Sequence, residues 1–367
     1  MSDYLAPAEE IIEEARAGRV FILVEDGGAA NVGMAAVPAS FATAEAVTFM
    51  AVHCRGVVCL ALTPERVAQL NLPPMVAQNS SPRQSAFTVS IEAREGVSTG
   101  ISAADRARTI EVAIDPDAND RDLVSPGHIF PVTARDGGVL VRAGFSEAAV
   151  DVARIAGLNP SAGLCAVIGE DGELSTLDDL IAFARKHDLK IGTIRDLVAY
   201  RHATEVLIER VSSETIDSEH GGEWRMHVYR NRVDGTEHCA LVKGAVGAGT
   251  TLVRMHAFAV QDDALGRKGG RAGLIPQAMD VIAAEGSGVV VLIRGPIVHK
   301  SDGSVPSRAG RDDKAALREY GVGAQILRDL GVSRIELLSG SLRAPIPGID
   351  GYGLEVAGIR PFGKALR

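Results

Sequence analysis

Four cysteines in 367 residues are too few and too scattered to form a covalent framework. Cys54, Cys59, Cys165 and Cys239 are isolated from one another, and the first two lack the two-residue spacing of a metal knuckle. This pattern excludes a disulfide-stapled fold, offers no zinc site and fits the reduced thiols of a cytosolic protein. Positive charge is also in deficit: 38 Lys and Arg face 47 Asp and Glu, for a net charge of −9. Nucleic acid is thereby excluded as a partner, because phosphate contacts need clustered cations. No uninterrupted apolar run is long enough to span a bilayer, so no membrane partner is expected. Met1 to Gly18 is acidic and amphipathic, with Ile11, Ile12 and Ala15 on one face, unlike a secretory leader or a transit peptide. The expectation is a soluble, cytoplasmic protein.

Apolar residues make up 46% of the chain, enough to fill two cores. Helical and strand signals alternate from the start. A helix is expected from Pro7 to Ala17, a buried strand from Val20 to Val24, helical spacing from Ala42 to Cys54 and a second buried strand from Gly56 to Leu62. Thr63-Pro64 reads as an N-cap followed by proline at the first helical position. Asn79 to Arg83 reads as a loop and Ala86 to Ile91 alternates like a strand. Between Arg201 and Gly222 the chain turns charged and polar, which puts a junction near residue 205 and gives domains 1–205 and 206–367. Beyond it, Glu223 to Arg230, Asp234-Gly235 and Glu237 to Gly244 read as a β-hairpin. Leu317 to Val332 reads as a helix ending at glycine, and Ile335 to Leu338 as a strand. The fold class is α+β, mixed α/β, in two domains.

One stretch, Val20 to Met34, organises the functional reading. Its apolar run ends at Glu25-Asp26 and breaks into Gly27-Gly28, so a strand delivers a loop at its C-terminal end, where sites are commonly carried. After those two acids the loop has no base, thiol, imidazole or charge through Met34. Glu25 and Asp26 are therefore the candidate catalytic acid/base residues. His128 stands in Pro126-Gly127-His128-Ile129-Phe130-Pro131 and reads as a hydrogen-bonded structural histidine of a tight, apolar turn.

Gly18-Arg19, Glu25-Asp26, Asn31 and Gly33, then Gly96 to Arg106, Pro126 to Pro131, Arg142 to Asp151 and Ile194 to Arg201, occur in the order and setting of a known family. Over nearly all of residues 10 to 202 the chain resembles 3,4-dihydroxy-2-butanone 4-phosphate synthase. The second half, through His256 to Ala259, Leu317 to Val332 and Gly351 to Val356, resembles GTP cyclohydrolase II, with which that synthase is fused in bifunctional riboflavin-biosynthesis proteins. In the synthase family the loop acids bind magnesium and move protons on ribulose 5-phosphate. Set against that pattern, Ala29, Ala30, Val32 and Met34 replace Arg, Glu, Glu and Asp. Phe145 replaces a magnesium-binding His, and Ala166 replaces a Glu that acts on the substrate. The cyclohydrolase family holds zinc with three cysteines, of which the first is Ala259 here, while Gly269 to Ala272 contain none. The resemblance therefore implies no metal and no other cofactor.

Groups retained at substrate positions are Ser98, Thr99, Arg142 and Ser146 in the first domain and Arg254, Arg318 and Ser339 in the second. They could hold a small phosphorylated or acidic ligand. Equally, they could cap turns, pair with nearby acids or stand as solvated charges. The family also implies a homodimer through the first domain, with the apolar helices of residues 148–157 and 176–186 retained.

Three readings compete. The first is a binding or regulatory homologue lacking both the magnesium-dependent lyase and the zinc-dependent cyclohydrolase activity. The second is a repurposed enzyme with metal-free chemistry on a small phosphorylated or acidic substrate in the first domain. The third is residual synthase activity. Loss of both ligand sets with retention of glycines and core pattern ranks the binding reading first and leaves open whether the chain is an enzyme.

Overall fold

The aliphatic run after Gly18 forms β1 (Phe21–Val24), and all four of its side chains are buried, as befits a strand covered on both faces. The computed structural model describes residues 4–25, 32–81, 83–266, 272–294, 313–339 and 354–362, and for 313–320 the backbone alone. Among these residues the chain divides into two units, Met1–Tyr200 and Arg201–Arg367.

In the first unit, β2 (Gly33–Pro38), β3 (Arg55–Leu62), β4 (Ile91–Ala93), β5 (Leu123–Thr133), β6 (Ala162–Val167) and β7 (Ile191–Thr193) join β1 in one sheet of order β4-β5-β3-β6-β2-β1-β7. The sheet is mixed: β1 runs antiparallel to β2 and parallel to β7, while β3 runs parallel to β5 and antiparallel to β6. Period-two alternation sorts the core. Ile22, Val24, Val37, Leu60 and Cys165 pack with Ile110 of α4 (Ala103–Ile114) and Leu180 of α6 (Leu177–His187). Across β2, β3 and β6 lies α5 (Phe145–Ile155), which also meets α1 (Ala8–Arg16). On α1, Ile11, Ile12 and Ala15 form the buried face expected of them.

Two elements of this unit differ from their sequence signals. The helical spacing from Ala42 ends early: α2 (Ala44–Phe49) passes into one π-type turn, Met50–Cys54, closed by Arg55 at φ 66°. The alternation from Ala86 to Ile91 yields isolated bridges at Phe87 and Thr88, with the ladder starting only at Ile91. Thr63 caps α3 (Pro64–Gln69) as its sequence indicates, accepting a hydrogen bond from the Arg66 amide at 3.3 Å.

The helix α7 (Ile194–Thr204) spans the division, and the second unit forms another seven-stranded sheet. Its strands are β8 (Ile208–Ser218), β9 (Gly222–Asn231), β10 (Glu237–Lys243), β11 (Thr250–Phe258), β12 (Gly288–Arg294), β13 (Arg334–Ser339) and β14 (Glu355–Pro361), in the order β14-β13-β11-β12-β10-β9-β8. Ala278, Met279 and Ile282 of α8 (Leu274–Glu285) cover one face, and Val322, Ile326 and Leu327 of α9 (Asp313–Asp329) cover the other. The hairpin β9–β10 forms where its turn signal lies, with Gly235 at φ 70°. The polar stretch before it is a strand and not a linker. β8 pairs with β9 from Ile208 to Ser218 and is exposed along most of its length, as the polar edge of a sheet is expected to be.

Candidate active site

At the end of β1 the Glu25 amide donates to the Val32 carbonyl at 3.2 Å, closing the mouth of the loop that the sequence marks. Asp26, Ala29, Ala30 and Asn31 lie outside the described residues. The Glu25 carboxylate meets Arg83, Nη1 to Oε2 at 3.1 Å, and both side chains are substantially exposed, at 38% and 59%. Arg83 comes from an organised turn. The Asn79 side chain accepts from the Ser81 amide at 3.0 Å and donates to the Ser85 carbonyl at 2.9 Å.

Arg142 joins this cluster through its guanidinium. Its Nη2 donates to the Arg83 carbonyl at 3.0 Å and its Nη1 to Glu147 Oε2 at 2.6 Å. Ser146 Oγ donates to the same carboxylate at 3.1 Å, and the Arg135 amide donates to its other oxygen at 3.0 Å. Glu147 is fully buried, so its charge is held by three donors from within the protein. Gly144 makes this packing possible: a Cβ there would stand 2.3 Å from Arg142 Nη1 and 2.4 Å from Glu147 Oε2. The structure thus brings Glu25, Arg142 and Ser146 together and adds Arg83 and Glu147, which the sequence reading passed over. Glu147 falls in the Arg142 to Asp151 motif, which carries the resemblance as a segment without singling it out. Arg83 falls in a stretch read only as a loop.

Ser98 and Thr99 belong to a different part of the unit. The Ser98 hydroxyl donates to Asp105 Oδ2 at 2.8 Å, and the Ser98 and Gly100 amides donate to the same carboxylate. These hydrogen bonds, the Ser98 hydroxyl first, hold the Asp105 carboxyl below the usual carboxylate range. Thr99 is exposed beside them. Close to this loop is a pair with more chemical content. His128 Nδ1 lies 2.8 Å from Glu92 Oε2, with the imidazole 42% exposed and the carboxylate 13% exposed. His128 is thus hydrogen-bonded, as its sequence setting suggested, to a mostly buried acid that β4 brings to β5. Gly100, at φ +83°, clears the space: a Cβ there would fall 1.5 Å from Glu92 Oε1.

In the second unit the corresponding groups face inward. Arg254 Nη1 donates to the Leu338 carbonyl at 2.9 Å, and Nη2 lies 3.3 Å from His256 Nδ1. His256 Nε2 is 2.9 Å from Asp263 Oδ1, whose other oxygen accepts from the Ala259 amide at 2.7 Å. Because a guanidinium can only donate, Nδ1 accepts and Nε2–H points at the carboxylate. Arg254 is 8% exposed and His256 is fully buried. Ser339 ends β13, where its carbonyl accepts from the Phe362 amide at 3.1 Å. Arg318 lies on α9, and its side chain is outside the description.

Among the described residues no three His, Cys, Asp or Glu side chains stand together as a metal cluster, and no helix is long and apolar enough to cross a membrane. Cys54, Cys59 and Cys165 are buried free thiols and Cys239 is a half-buried one. Burial pushes the Cys59 thiol up to about 12, which makes it a poor nucleophile.

Two mixed seven-stranded sheets, the first presenting a carboxylate–arginine cluster at one strand end, define a two-domain α+β scaffold. The first unit matches the family model for 3,4-dihydroxy-2-butanone 4-phosphate synthase over residues 9–200, and the second matches GTP cyclohydrolase II over residues 209–361. The chain belongs to the family of fused proteins that carry these two domains in this order. It is 43% identical to riboflavin biosynthesis protein RibBA of Aquifex aeolicus, over 95% of this chain and 90% of that protein. It is 42% identical to 3,4-dihydroxy-2-butanone 4-phosphate synthase of Neisseria meningitidis serogroup B, over 98% of this chain and 99% of that one. Among solved structures it is similar to RibBX of A. baumannii, a two-domain 3,4-dihydroxy-2-butanone 4-phosphate synthase, with TM-score 0.79 and 39% identity over 97% of this chain and 99% of that chain.

These relatives confirm the α+β two-domain fold and overturn the leading functional expectation. Proteins 42–43% identical over nearly the whole chain carry the names of biosynthetic enzymes. A binding or regulatory homologue without activity is therefore the wrong reading. It weighed substitutions at a handful of positions above similarity that runs the length of the chain.

Proposed function

We propose that the first unit is an enzyme that moves protons on a small phosphorylated hydroxyketone, of the class its synthase relatives handle, using its own carboxylate and imidazole groups. The observation that carries this reading is the Glu25 carboxylate, exposed at a strand end and paired with the exposed guanidinium of Arg83. An exposed carboxylate can take a proton from carbon beside a carbonyl, while neighbouring guanidinium charge favours an anionic substrate.

Magnesium of the family type does not fit the residues at this place. Phe145 opens α5 with a side chain that offers no oxygen, and the adjacent Glu147 carboxylate is filled by Arg142, Ser146 and Arg135. Ala30 has no donor atom either. In the second unit Ala259 replaces a thiolate, and His256 is occupied by Asp263. The active site is divergent in this sense, and no step is routed through a metal.

His128, oriented by Glu92, is the second proton-moving group. In the sheet order β5 lies four strands from β1, about 19 Å at ~4.8 Å per strand, so one copy cannot bring His128 and Glu25 to one substrate. A homodimer through the first unit supplies His128 from the partner. Its interface does not use the buried face of α5, because Ala148, Ala149 and Val152 pack inside their own copy.

The test is ribulose 5-phosphate turnover by chelator-treated protein, followed by ³¹P NMR. The expected result is a new phosphate ester that forms without added metal, slowed at least about a hundred-fold by Glu25→Gln. Turnover that appears only on adding magnesium would overturn the metal-free chemistry. No change to ribulose 5-phosphate or related pentose phosphates would overturn the substrate class.

A further inference from the structure

Arg83 and Arg142 are both cations of the candidate site, but only one of them is available to a ligand. Arg142 is 30% exposed and its carboxylate partner is 1% exposed, so withdrawing the guanidinium would strand a buried charge. Its second terminal nitrogen is committed as well, to the Arg83 carbonyl. Arg142 thus anchors the backbone from which the Arg83 side chain springs. Among the described residues the Arg83 side chain pairs with Glu25 alone, both groups reach water, and an ion pair of that kind contributes little and exchanges easily. Among the described residues of this cluster each arginine is matched by one carboxylate, Arg83 by Glu25 and Arg142 by Glu147, so an incoming anion has to displace a carboxylate.

We propose that Arg83 is the anion-recognising residue of the site, and that its transfer from Glu25 to the substrate phosphate releases the Glu25 carboxylate for proton abstraction. The assignment rests on the reading of the first unit as an enzyme for a phosphorylated substrate. It adds a specificity device: a ligand without a strong anion leaves Arg83 on Glu25, and the base stays engaged. A phosphate is suited to the exchange because it presents several acceptor oxygens to a forked donor, more than the carboxylate it displaces. Exchange moves no covalent bond, and the proton that Glu25 then accepts comes from the substrate carbon.

The experiment is calorimetric titration of the full chain with inorganic phosphate and with ribulose 5-phosphate, for wild type, Arg83→Ala, Arg83→Lys and Glu25→Gln, beside turnover of ribulose 5-phosphate. Arg83→Ala should weaken both ligands by about ten- to a hundred-fold, the size of one charge-assisted contact. Arg83→Lys should recover part of that loss. Glu25→Gln should bind inorganic phosphate at least as tightly as wild type, because the competing carboxylate is gone, while losing turnover. Arg83→Ala that binds and turns over like wild type overturns the assignment, as does Glu25→Gln that loses phosphate ten-fold or more. Wild type that binds phosphate through Arg83 but leaves ribulose 5-phosphate unchanged upholds Arg83 and breaks the functional reading instead. An exposed residue such as Arg83 can be replaced without unfolding the unit, so lost binding reports on the site.

Discussion

The first unit and the second each hold an acid against a basic side chain at nearly the same distance, Arg83 to Glu25 at 3.1 Å and His256 to Asp263 at 2.9 Å, yet the two pairs do opposite things. The first is open to water on both sides, whereas the second has side chains 0% and 1% exposed and is tied to Arg254 as well. An exposed pair can break and re-form around a ligand at little cost. A buried one fixes the end of β11 against the segment that follows it. Burial, not the presence of charged residues, separates a group free to act from one that holds the fold. Of the three arginines at family substrate positions, the two whose side chains are described, Arg142 and Arg254, have terminal nitrogens engaged inside the protein.

The sharpest break of this comparison is Asp263→Ala. It leaves His256 and Arg254 buried without their acid and should destabilise the second unit by about 3–5 kcal/mol. Trp224, the sole tryptophan, is 1% exposed in that unit, so its fluorescence during urea unfolding reads this unit. A loss below about 1 kcal/mol would mean the network is dispensable. Next in size is Glu147→Ala, which removes three hydrogen bonds but lets Arg142 turn to solvent. We expect about 2 kcal/mol, read from thermal unfolding by circular dichroism, with a larger effect than at Glu25. Glu25→Gln should change stability by less than about 1 kcal/mol while turnover collapses. Equal stability losses at Glu25 and Glu147 would erase the distinction between open and buried carboxylates.

Acid should act on both units, unequally. Burial holds the His238 imidazole below its ordinary value of 6.5, and burial with the neighbouring His53 does the same for His187. A folded-state value below the unfolded one means the unfolded chain binds the proton first. Stability is therefore complete above about pH 6.5 and declines as pH falls through the folded-state value. Deeply buried His238 should give the larger slope, so the Trp224 transition should weaken before the first unit between neutral and mildly acidic pH. A Trp224 transition flat from pH 7 to 5 would contradict this.

Much of the fold was legible because it rests on local rules. The Val20 to Val24 run, the Thr63 cap and the Asp234-Gly235 turn each announce their element within a few residues. β8 was missed because an edge strand with both faces wet shows no apolar alternation, and Ser212, Ser213 and Glu214 look like a linker. In the site, Glu25 was legible from its place after a buried strand. Arg83 was not, since its relation to Glu25 spans 58 positions and depends on a turn built by Asn79. His128 is hydrogen-bonded as expected, but its partner was not legible, because Glu92 arrives from another strand.

The central claim, that Glu25 of the first unit abstracts a proton from a phosphorylated hydroxyketone without a metal, has a direct measurement in deuterium exchange. Chelator-treated protein is incubated with ribulose 5-phosphate in D₂O, and the carbon-bound hydrogens beside the carbonyl are followed by ¹H NMR. The account predicts that wild type washes deuterium into that position well above the enzyme-free rate, and that Glu25→Gln, still folded, does not. Wild type without exchange, or Glu25→Gln exchanging as fast as wild type, would contradict it.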